Sequence, residues 1–193
     1  MYSKVYLLNN YDYDSRNNTI KNLGPLEDTG IIDIKPLTVF IGNSASGKST
    51  LMKALDFKSA QKRSIIDLLF EKNLTTQYRP EMELTDMPKY VHIHIEEPEL
   101  SLDPTSQIQM LNEIIRLAFY SKVDSREIGL VLATHSPYII NSLNLLMKAH
   151  DCKTDIDGAH VDYDDLSVYQ IVSGGVVDLK VRNIHYVNTD YKS

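Results

Sequence analysis

A glycine-rich loop, GNSASGKS at residues 42–49, narrows the range of folds open to this chain more than any other segment. The loop fits the pattern G-x-x-x-x-G-K-[ST]. The apolar run LTVFI at 37–41 leads into it, and residues that favour a helix follow from Lys48. A buried strand, such a loop and a helix in this order are typical of a phosphate-binding turn at the edge of a parallel sheet.

Each residue type that the pattern requires has a physical role in binding a polyphosphate. Glycines let backbone N–H groups and the positive end of the following helix approach the anion closely. Lys48 supplies a mobile positive charge for the β- and γ-phosphates, and the Ser49 hydroxyl suits Mg²⁺. A nucleoside triphosphate with Mg²⁺ is therefore predicted. Because these residues would contact only the phosphates, they do not distinguish ATP from GTP. The predicted phosphate-binding residues are Gly42, Asn43, Ser44, Ala45, Ser46, Gly47, Lys48, Ser49 and Thr50.

Strands and helices are predicted to alternate along the chain. Apolar runs predict strands at 3–8, 30–34, 37–41, 90–95 and 128–133. Apolar spacing and helix-start signals predict helices at 48–57, 64–72, 104–120 and 137–150. The tail from 166 to 187 is rich in β-forming residues and is interrupted by Gly174 and Gly175, which indicates a hairpin. This order predicts an α/β fold with parallel central strands.

A second motif, VHIHIEEPE at 91–99, ends an apolar strand with carboxylates. Because ligands of parallel sheets bind at the carboxyl ends of the strands, these carboxylates should lie beside the glycine-rich loop. Glu96, together with Ser49, is predicted to hold Mg²⁺, directly or through water. Glu97 is predicted to orient or deprotonate an attacking water. The alternative interpretation is an acidic turn that caps a helix.

A third motif, ATHSP at 133–137, directly follows another apolar strand. His135 at the end of this strand could hydrogen-bond a γ-phosphate or the attacking water, and so report which nucleotide is bound. Taken alone, a histidine at a strand end is more often a satisfied structural residue. The presence of all three motifs in this order favours function, so we predict catalytic roles for Lys48, Glu97 and His135.

The composition, 42% hydrophobic and 24% charged residues among 193, is ordinary for a soluble globular protein. The length fits a single domain, 1–193, with its own core. A net charge of −6 argues against a surface that is basic all round, as a dedicated nucleic-acid-binding protein would have. The single cysteine, Cys152, agrees with a reducing compartment. Without a signal-peptide pattern or a membrane-spanning apolar run, a cytoplasmic protein that does not contact the membrane is expected.

Three segments resemble, in sequence and in order, the ABC-type P-loop ATPases of the SMC, RecF and OLD lineage, especially prokaryotic AAA-family ATPases of anti-phage defence. These segments are LTVFIGNSASGKST, HIEEPELSLDP and LATHSPYIINSL. The resemblance covers residues 23–143. It implies a P-loop NTPase of the ABC-type head class, with a mostly parallel central sheet and antiparallel N-terminal and C-terminal strands. It also implies that ATP lies between two protomers, one of which contributes residues 42–50, Glu96, Glu97 and His135. Asp103 matches the position where the D-loop of the family crosses the dimer interface.

Two features depart from the family pattern. Ser44 and Ala45 replace the usual Asn-Gly or Asn-Asn of the loop. Only 40 residues, 51–90, lie where relatives carry a helical lobe or coiled-coil insertion and a Ser-Gly signature, so that lobe is expected to be reduced or missing near 57–60. The best candidate for the signature is SAQK at 59–62. It contains no glycine, which makes a close backbone approach to a γ-phosphate harder.

These observations lead to three hypotheses about function. The first is an ATPase whose nucleotide-driven dimerisation controls an effector partner, such as a nuclease or a toxin, in anti-phage defence. The second is a binding module that senses nucleotide and barely hydrolyses it, because of the glycine-free signature. The third is a DNA-binding head of the repair type, which the acidic net charge disfavours. The resemblance favours the first hypothesis.

Overall fold

The computed structural model describes residues 12–14, 19–56, 90–120, 127–181 and 185–189. The predicted strand at 3–8, the predicted helix at 64–72 and the candidate signature at 59–62 lie outside these ranges. The described strands are β1 (Asp12–Asp14), β2 (Thr19–Leu23), β3 (Leu26–Asp28), β4 (Leu37–Ile41), β5 (Tyr90–Glu96), β6 (Glu127–Thr134), β7 (Leu166–Val172), β8 (Gly175–Asp178), β9 (Lys180–Val181) and β10 (Tyr186–Val187). The described α-helices are α1 (Lys48–Asp56), α2 (Pro104–Ile115) and α3 (Pro137–Asp151).

A five-stranded mixed sheet with the order β5-β6-β4-β7-β8 forms the centre of the molecule. The strands β5, β6, β4 and β7 run parallel, and β8 pairs antiparallel with β7. Glu96 on β5 lies opposite Ala133 on β6, which in turn lies opposite Phe40 on β4. The carboxyl ends of these strands therefore meet at one edge of the sheet. The prediction of an α/β fold with a mostly parallel sheet is confirmed.

Both faces of the central sheet are covered, as its continuous apolar strands require. All five residues of β4 are buried. Leu37, Val39 and Ile41 pack in one core cluster with residues of α2 and α3, whereas Phe40 packs with residues of α1 and the N-terminal strands. Alternate side chains of β4 thus pack into two cores, one on each side of the sheet.

The strand predicted at 30–34 is wrong, because the chain from 29 to 35 forms no strand. Ile32 is fully buried, whereas its neighbour Ile31 is 71% exposed. The amide of Asp33 donates to the hydroxyl of Tyr169, so its partner is a side chain where a strand would have a backbone carbonyl. The N-terminal strands that the structure does describe are β1, β2 and β3, which form a separate antiparallel sheet.

The other predicted elements that fall within the described ranges match the structure within a few residues. The helix predicted at 104–120 is α-helical to Ile115 and continues as a π-helical turn, Arg116–Tyr120. The hairpin predicted in the tail is the antiparallel pair β7 and β8. Gly174, between these strands, has φ of 84°, a conformation that glycine adopts without steric cost.

The helices that follow β5 and β6 start in the same way. Asp103 caps α2 by accepting hydrogen bonds from the amides of Thr105 and Ser106, and a proline occupies the first turn. Ser136 caps α3 by accepting from the amide of Tyr138, again with a proline in the first turn. A side-chain cap and an early proline satisfy or remove the free N–H groups of a helix start.

Candidate functional site

The glycine-rich loop connects β4 to α1 at the carboxyl edge of the central sheet, and its shape depends on two glycines. A Cβ atom at Gly42 would lie 2.7 Å from Oγ of Ser46 and 2.9 Å from the carbonyl oxygen of Ile171. Gly47 has φ of 108°, and a Cβ atom there would lie 2.9 Å from Cγ of Pro25 in the β2–β3 turn. Neither position has room for a side chain, as the sequence pattern predicts.

Ala45 adopts a left-handed backbone conformation, which glycine adopts without steric cost. Its φ is 62°, in the left-handed region that costs an alanine about 1–2 kcal/mol. The amide of Ser46 donates to the carbonyl oxygen of Asn43 at 3.1 Å and closes the turn. The loop therefore forms its turn with Ala45 in a strained conformation.

Lys48 lies inside the curve of this loop and is only 6% exposed. Its Nζ donates to the carbonyl oxygens of Gly42, at 2.7 Å, and of Asn43, at 2.8 Å. Burial lowers the pKa of Lys48, whereas the charges of Glu97, Glu99 and Glu96 act in the opposite direction. The ammonium group is thus held by the loop itself, within the field of the carboxylates that end β5.

The start of α1 differs from the starts of α2 and α3. Its first residue, Lys48, follows Gly47, which has no side chain to act as a cap. Within the described residues, no side chain accepts a hydrogen bond from the first amides of α1. A helix start in this state presents free N–H groups and a partial positive charge, both of which favour an anion.

Ser49 and Glu96 meet at the other side of the loop. Oγ of Ser49 donates to Oε2 of Glu96 at 2.6 Å, although the two residues are 47 positions apart. Neighbouring oxygen ligands of an octahedral Mg²⁺ lie about 2.9 Å apart. A hydroxyl and a carboxylate in this arrangement fit two positions of a magnesium sphere after a small widening.

Within the described residues, no group of three or more His, Cys, Asp and Glu side chains is arranged to hold a metal ion. A cage made only of protein ligands is therefore absent from this part of the chain. Mg²⁺ is usually held by one or two protein oxygens and completes its coordination with phosphate and water. Ser49 and Glu96 match that kind of site.

Glu97 follows directly after β5 and occupies a strained backbone conformation. Its φ is 49°, and its amide donates to the carbonyl oxygen of Ala133 at 2.7 Å. Its Oε1 lies 3.7 Å from Nδ1 of His135, which follows β6. The predicted pair of Glu97 and His135 is thus brought together, and both side chains are about half exposed at the edge of the sheet.

Glu99 is a residue of this site to which the sequence interpretation gave no role. It is 3% exposed, and its Oε1 accepts hydrogen bonds from the hydroxyl of Thr134, at 2.6 Å, and from the amide of His135, at 3.0 Å. The same oxygen lies 3.3 Å from Nδ1 of His135. The sequence feature that could have identified Glu99 is its place as the last glutamate of EEPE. A tight turn after a strand can fold back, so that a side chain of the turn lies beneath the end of the strand.

The structure brings the predicted residues of all three motifs to one edge of the sheet, around the loop at residues 42–47. Thr50 lies in the first turn of α1, next to Gly24 of the β2–β3 turn. Asp103 serves as the N-cap of α2, and its contact with a second protomer stays a prediction. The candidate signature at 59–62 falls outside the described residues.

No family model and no curated protein sequence matches this chain. In the part of the chain that the structure describes, none of the helices has the length and apolar character needed to cross a membrane. The fold that the structure defines is an α/β fold with a mixed, mostly parallel sheet of five strands.

Proposed function

We propose that this chain binds a nucleoside triphosphate with Mg²⁺ at the carboxyl edge of its central sheet and hydrolyses it. ATP is the proposed nucleotide on the ground of the family resemblance. The same resemblance leads us to propose that the chain is a P-loop ATPase with an ABC-type head.

One observation carries this proposal, the 2.6 Å contact between Oγ of Ser49 and Oε2 of Glu96. A helix start that bears a G-x-x-x-x-G-K-S loop supplies an anion site. A strand-end carboxylate at hydrogen-bond distance from the loop serine adds the second oxygen that a nucleotide-bound Mg²⁺ requires. A glycine-rich turn with only a structural role would need no such carboxylate.

The side chains would divide the work as follows. Lys48 would release the loop carbonyls and donate to the β- and γ-phosphates, while the free amides of α1 bind the same oxygens. Ser49 and Glu96 would hold Mg²⁺, which neutralises charge on the phosphates when bound. Glu97 would orient or deprotonate the attacking water, and His135 would contact that water or the γ-phosphate.

The wider role also follows from the resemblance. Two heads would close on ATP and separate after hydrolysis, and this motion would control an effector such as a nuclease or a toxin in the cytoplasm. The second candidate, a nucleotide sensor with little turnover, is favoured by the missing glycine at 59–62. A DNA-binding head is the third candidate, and the net charge of −6 weighs against it.

Turnover of Mg²⁺–ATP by the full chain, with and without Glu97→Gln, tests the catalytic part of the proposal. Loss of a general base lowers kcat by about 100-fold or more, whereas binding of ATP is retained. The matched control is Glu113→Gln, which neutralises an exposed glutamate paired with Arg116 on α2 and should leave kcat unchanged. Undiminished turnover in Glu97→Gln would remove Glu97 from the mechanism. Binding without turnover in the unmutated protein would favour the sensor.

A further inference from the structure

The hydrogen bonds of the buried Glu99 side chain do not explain why this residue is a carboxylate. Its Oε1 accepts from the hydroxyl of Thr134 and from the amide of His135. The amide of Ser136 donates to the same hydroxyl of Thr134, which leaves the Thr134 proton to point at Glu99. A neutral glutamine oxygen could accept both bonds equally well.

Hydrogen bonds do not explain the second oxygen of Glu99 either. Oε2 is buried and has no hydrogen-bond partner among the described residues. A negative charge at this depth is costly unless a cation or a proton donor faces it. Lys48 interacts with Glu99 through charge, and Nδ1 of His135 lies 3.3 Å from Oε1. The imidazole ring of His135 is therefore close enough for the charge of Glu99 to act upon it.

Two carboxylates compete for the ring of His135. Nδ1 lies 3.3 Å from the buried Glu99 and 3.7 Å from Glu97, which is 40% exposed. The closer and more buried carboxylate has the stronger effect, because water screens the exposed one. A neutral imidazole carries one proton, and a carboxylate beside Nδ1 favours the tautomer that is protonated there. Nε2 then becomes a hydrogen-bond acceptor.

We propose that Glu99 is the positioning residue of His135: it fixes the ring and its Nδ1-protonated tautomer, so that Nε2 accepts a hydrogen bond from the attacking water. A buried carboxylate that holds a histidine in one tautomer has the same role in hydrolytic triads. The part that concerns water rests on the proposed ATPase function. The part that concerns the tautomer rests only on Glu99 and His135.

Nitrogen-15 NMR of the imidazole in the ligand-free full chain tests the tautomer directly. The His135 signals are assigned by their loss in His135→Gln, and spectra are recorded at mildly alkaline pH, where imidazole rings are neutral. We expect a protonated Nδ1 and an unprotonated Nε2 in the unmutated protein. A ring protonated mainly on Nε2 would overturn the proposal without any need for a variant to fold.

Glu99→Gln then separates positioning from a structural role, because the glutamine oxygen keeps both hydrogen bonds. The Nδ1-protonated fraction should fall in this variant and stay unchanged in Glu97→Gln. Turnover should drop about tenfold or more in kcat, with KM for ATP unchanged. An unchanged tautomer in Glu99→Gln, or an unchanged kcat, would overturn the proposal. If the unmutated chain shows no turnover, the ATPase function fails by itself, and the tautomer result alone decides the role of Glu99.

Discussion

The starts of α1 and α2 show two ways of treating the free N–H groups of a helix. α2 is closed by its own side chain, since Asp103 accepts hydrogen bonds from two amides and Pro104 has no N–H to satisfy. α1 follows Gly47 and, among the described residues, receives no side-chain cap. The start of α2 is capped by its own residues, whereas the first amides of α1 are left for an external acceptor, a role that an anion could fill.

The surroundings of the two starts differ in their buried polar groups. Positive φ occurs near both starts, at Ala45 and Glu97 near α1, with 62° and 49°, and at Ser101 near α2, with 65°. The hydroxyl of Ser46 and one oxygen of Glu99 are buried without a hydrogen-bond partner among the described residues. Strain and unsatisfied polar groups reduce stability, and they persist where a function requires them. The buried polar groups without partners therefore favour the start of α1 as the candidate site, whereas the start of α2 has its own cap.

Gly47→Ala should have the largest effect on this comparison. The new Cβ would lie 2.9 Å from Cγ of Pro25 and would require φ of 108° from an alanine, so the loop must shift. We expect a loss of about 1–3 kcal/mol in the free energy of unfolding. Nucleotide affinity should fall about 100-fold or more, as expected when two hydrogen bonds to phosphate are lost.

Gly30→Ala is the matched control for this change. Gly30 also has a positive φ, of 64°, but no atom lies within 4 Å of its added Cβ. Denaturant unfolding should show a cost of about 1–2 kcal/mol from backbone strain. Calorimetry should show unchanged nucleotide affinity. Equal losses of affinity in the two variants would mean that general destabilisation, and not the loop at α1, explains the effect of Gly47→Ala.

Ser49→Ala should have an intermediate effect that depends on magnesium. It removes the hydroxyl that lies 2.6 Å from Oε2 of Glu96, and with it one oxygen of the proposed metal site. We expect ATP affinity in the presence of Mg²⁺ to fall about 10- to 100-fold, the usual range for a lost bond to a charged group. Chelation of Mg²⁺ should abolish the difference between variant and unmutated protein. A difference that persists after chelation would contradict the metal role.

Asp103→Asn should have the smallest effect, a change in stability that depends on pH. The pKa of Asp103 is lowered from its ordinary value of 3.8, first by the hydrogen bond from the Ser106 side chain and then by that from the Ser106 amide. A lowered pKa in the folded state stabilises the protein above the unfolded value, and this contribution is lost as the pH falls through the folded value.

Thermal unfolding as a function of pH checks this expectation. The unmutated protein should melt slightly above Asp103→Asn near neutral pH, and the gap should close below pH 3.8. A gap that stays constant with pH would show that the charge of Asp103 does not stabilise α2.

The sequence predicts the central sheet well, for a physical reason. Strands that are buried on both faces need continuous apolar runs, and LTVFI at 37–41 and GLVLA at 129–133 have them. Prolines at the first turns of α2 and α3 mark where those helices begin. The strand predicted at 30–34 fails because burial of Ile32 needs no pairing of its backbone.

Antiparallel N-terminal strands were expected from the resemblance, but their positions were missed for the opposite reason. The β2 strand reads TIKNL and β3 reads LED, so neither has the apolar run or the alternation that predicts a strand. Their turn nevertheless contacts the glycine-rich loop, since Pro25 limits the space at Gly47. Such a contact joins segments that are distant in sequence, and local patterns carry no information about it.

The candidate site was predictable as a set of residues but not as a geometry. The motifs named Lys48, Ser49, Glu96, Glu97 and His135, and the structure brings these residues to one edge of the sheet. The burial of Glu99 and its hydrogen bonds to Thr134 and His135 depend on how the EEPE turn folds back under β6. A motif gives the type of each side chain, whereas the burial and the hydrogen-bond partners of that side chain follow from the three-dimensional packing.

Isothermal titration calorimetry of Mg²⁺ with a slowly hydrolysed ATP analogue tests the central claim most directly. The unmutated chain should bind the analogue with an affinity that depends on Mg²⁺, and Lys48→Ala should abolish binding. Lys53→Ala, which removes an exposed lysine from the same helix, should bind like the unmutated chain. Absence of binding in the unmutated chain, or equal binding in Lys48→Ala, would contradict the claim that the start of α1 is a nucleotide site.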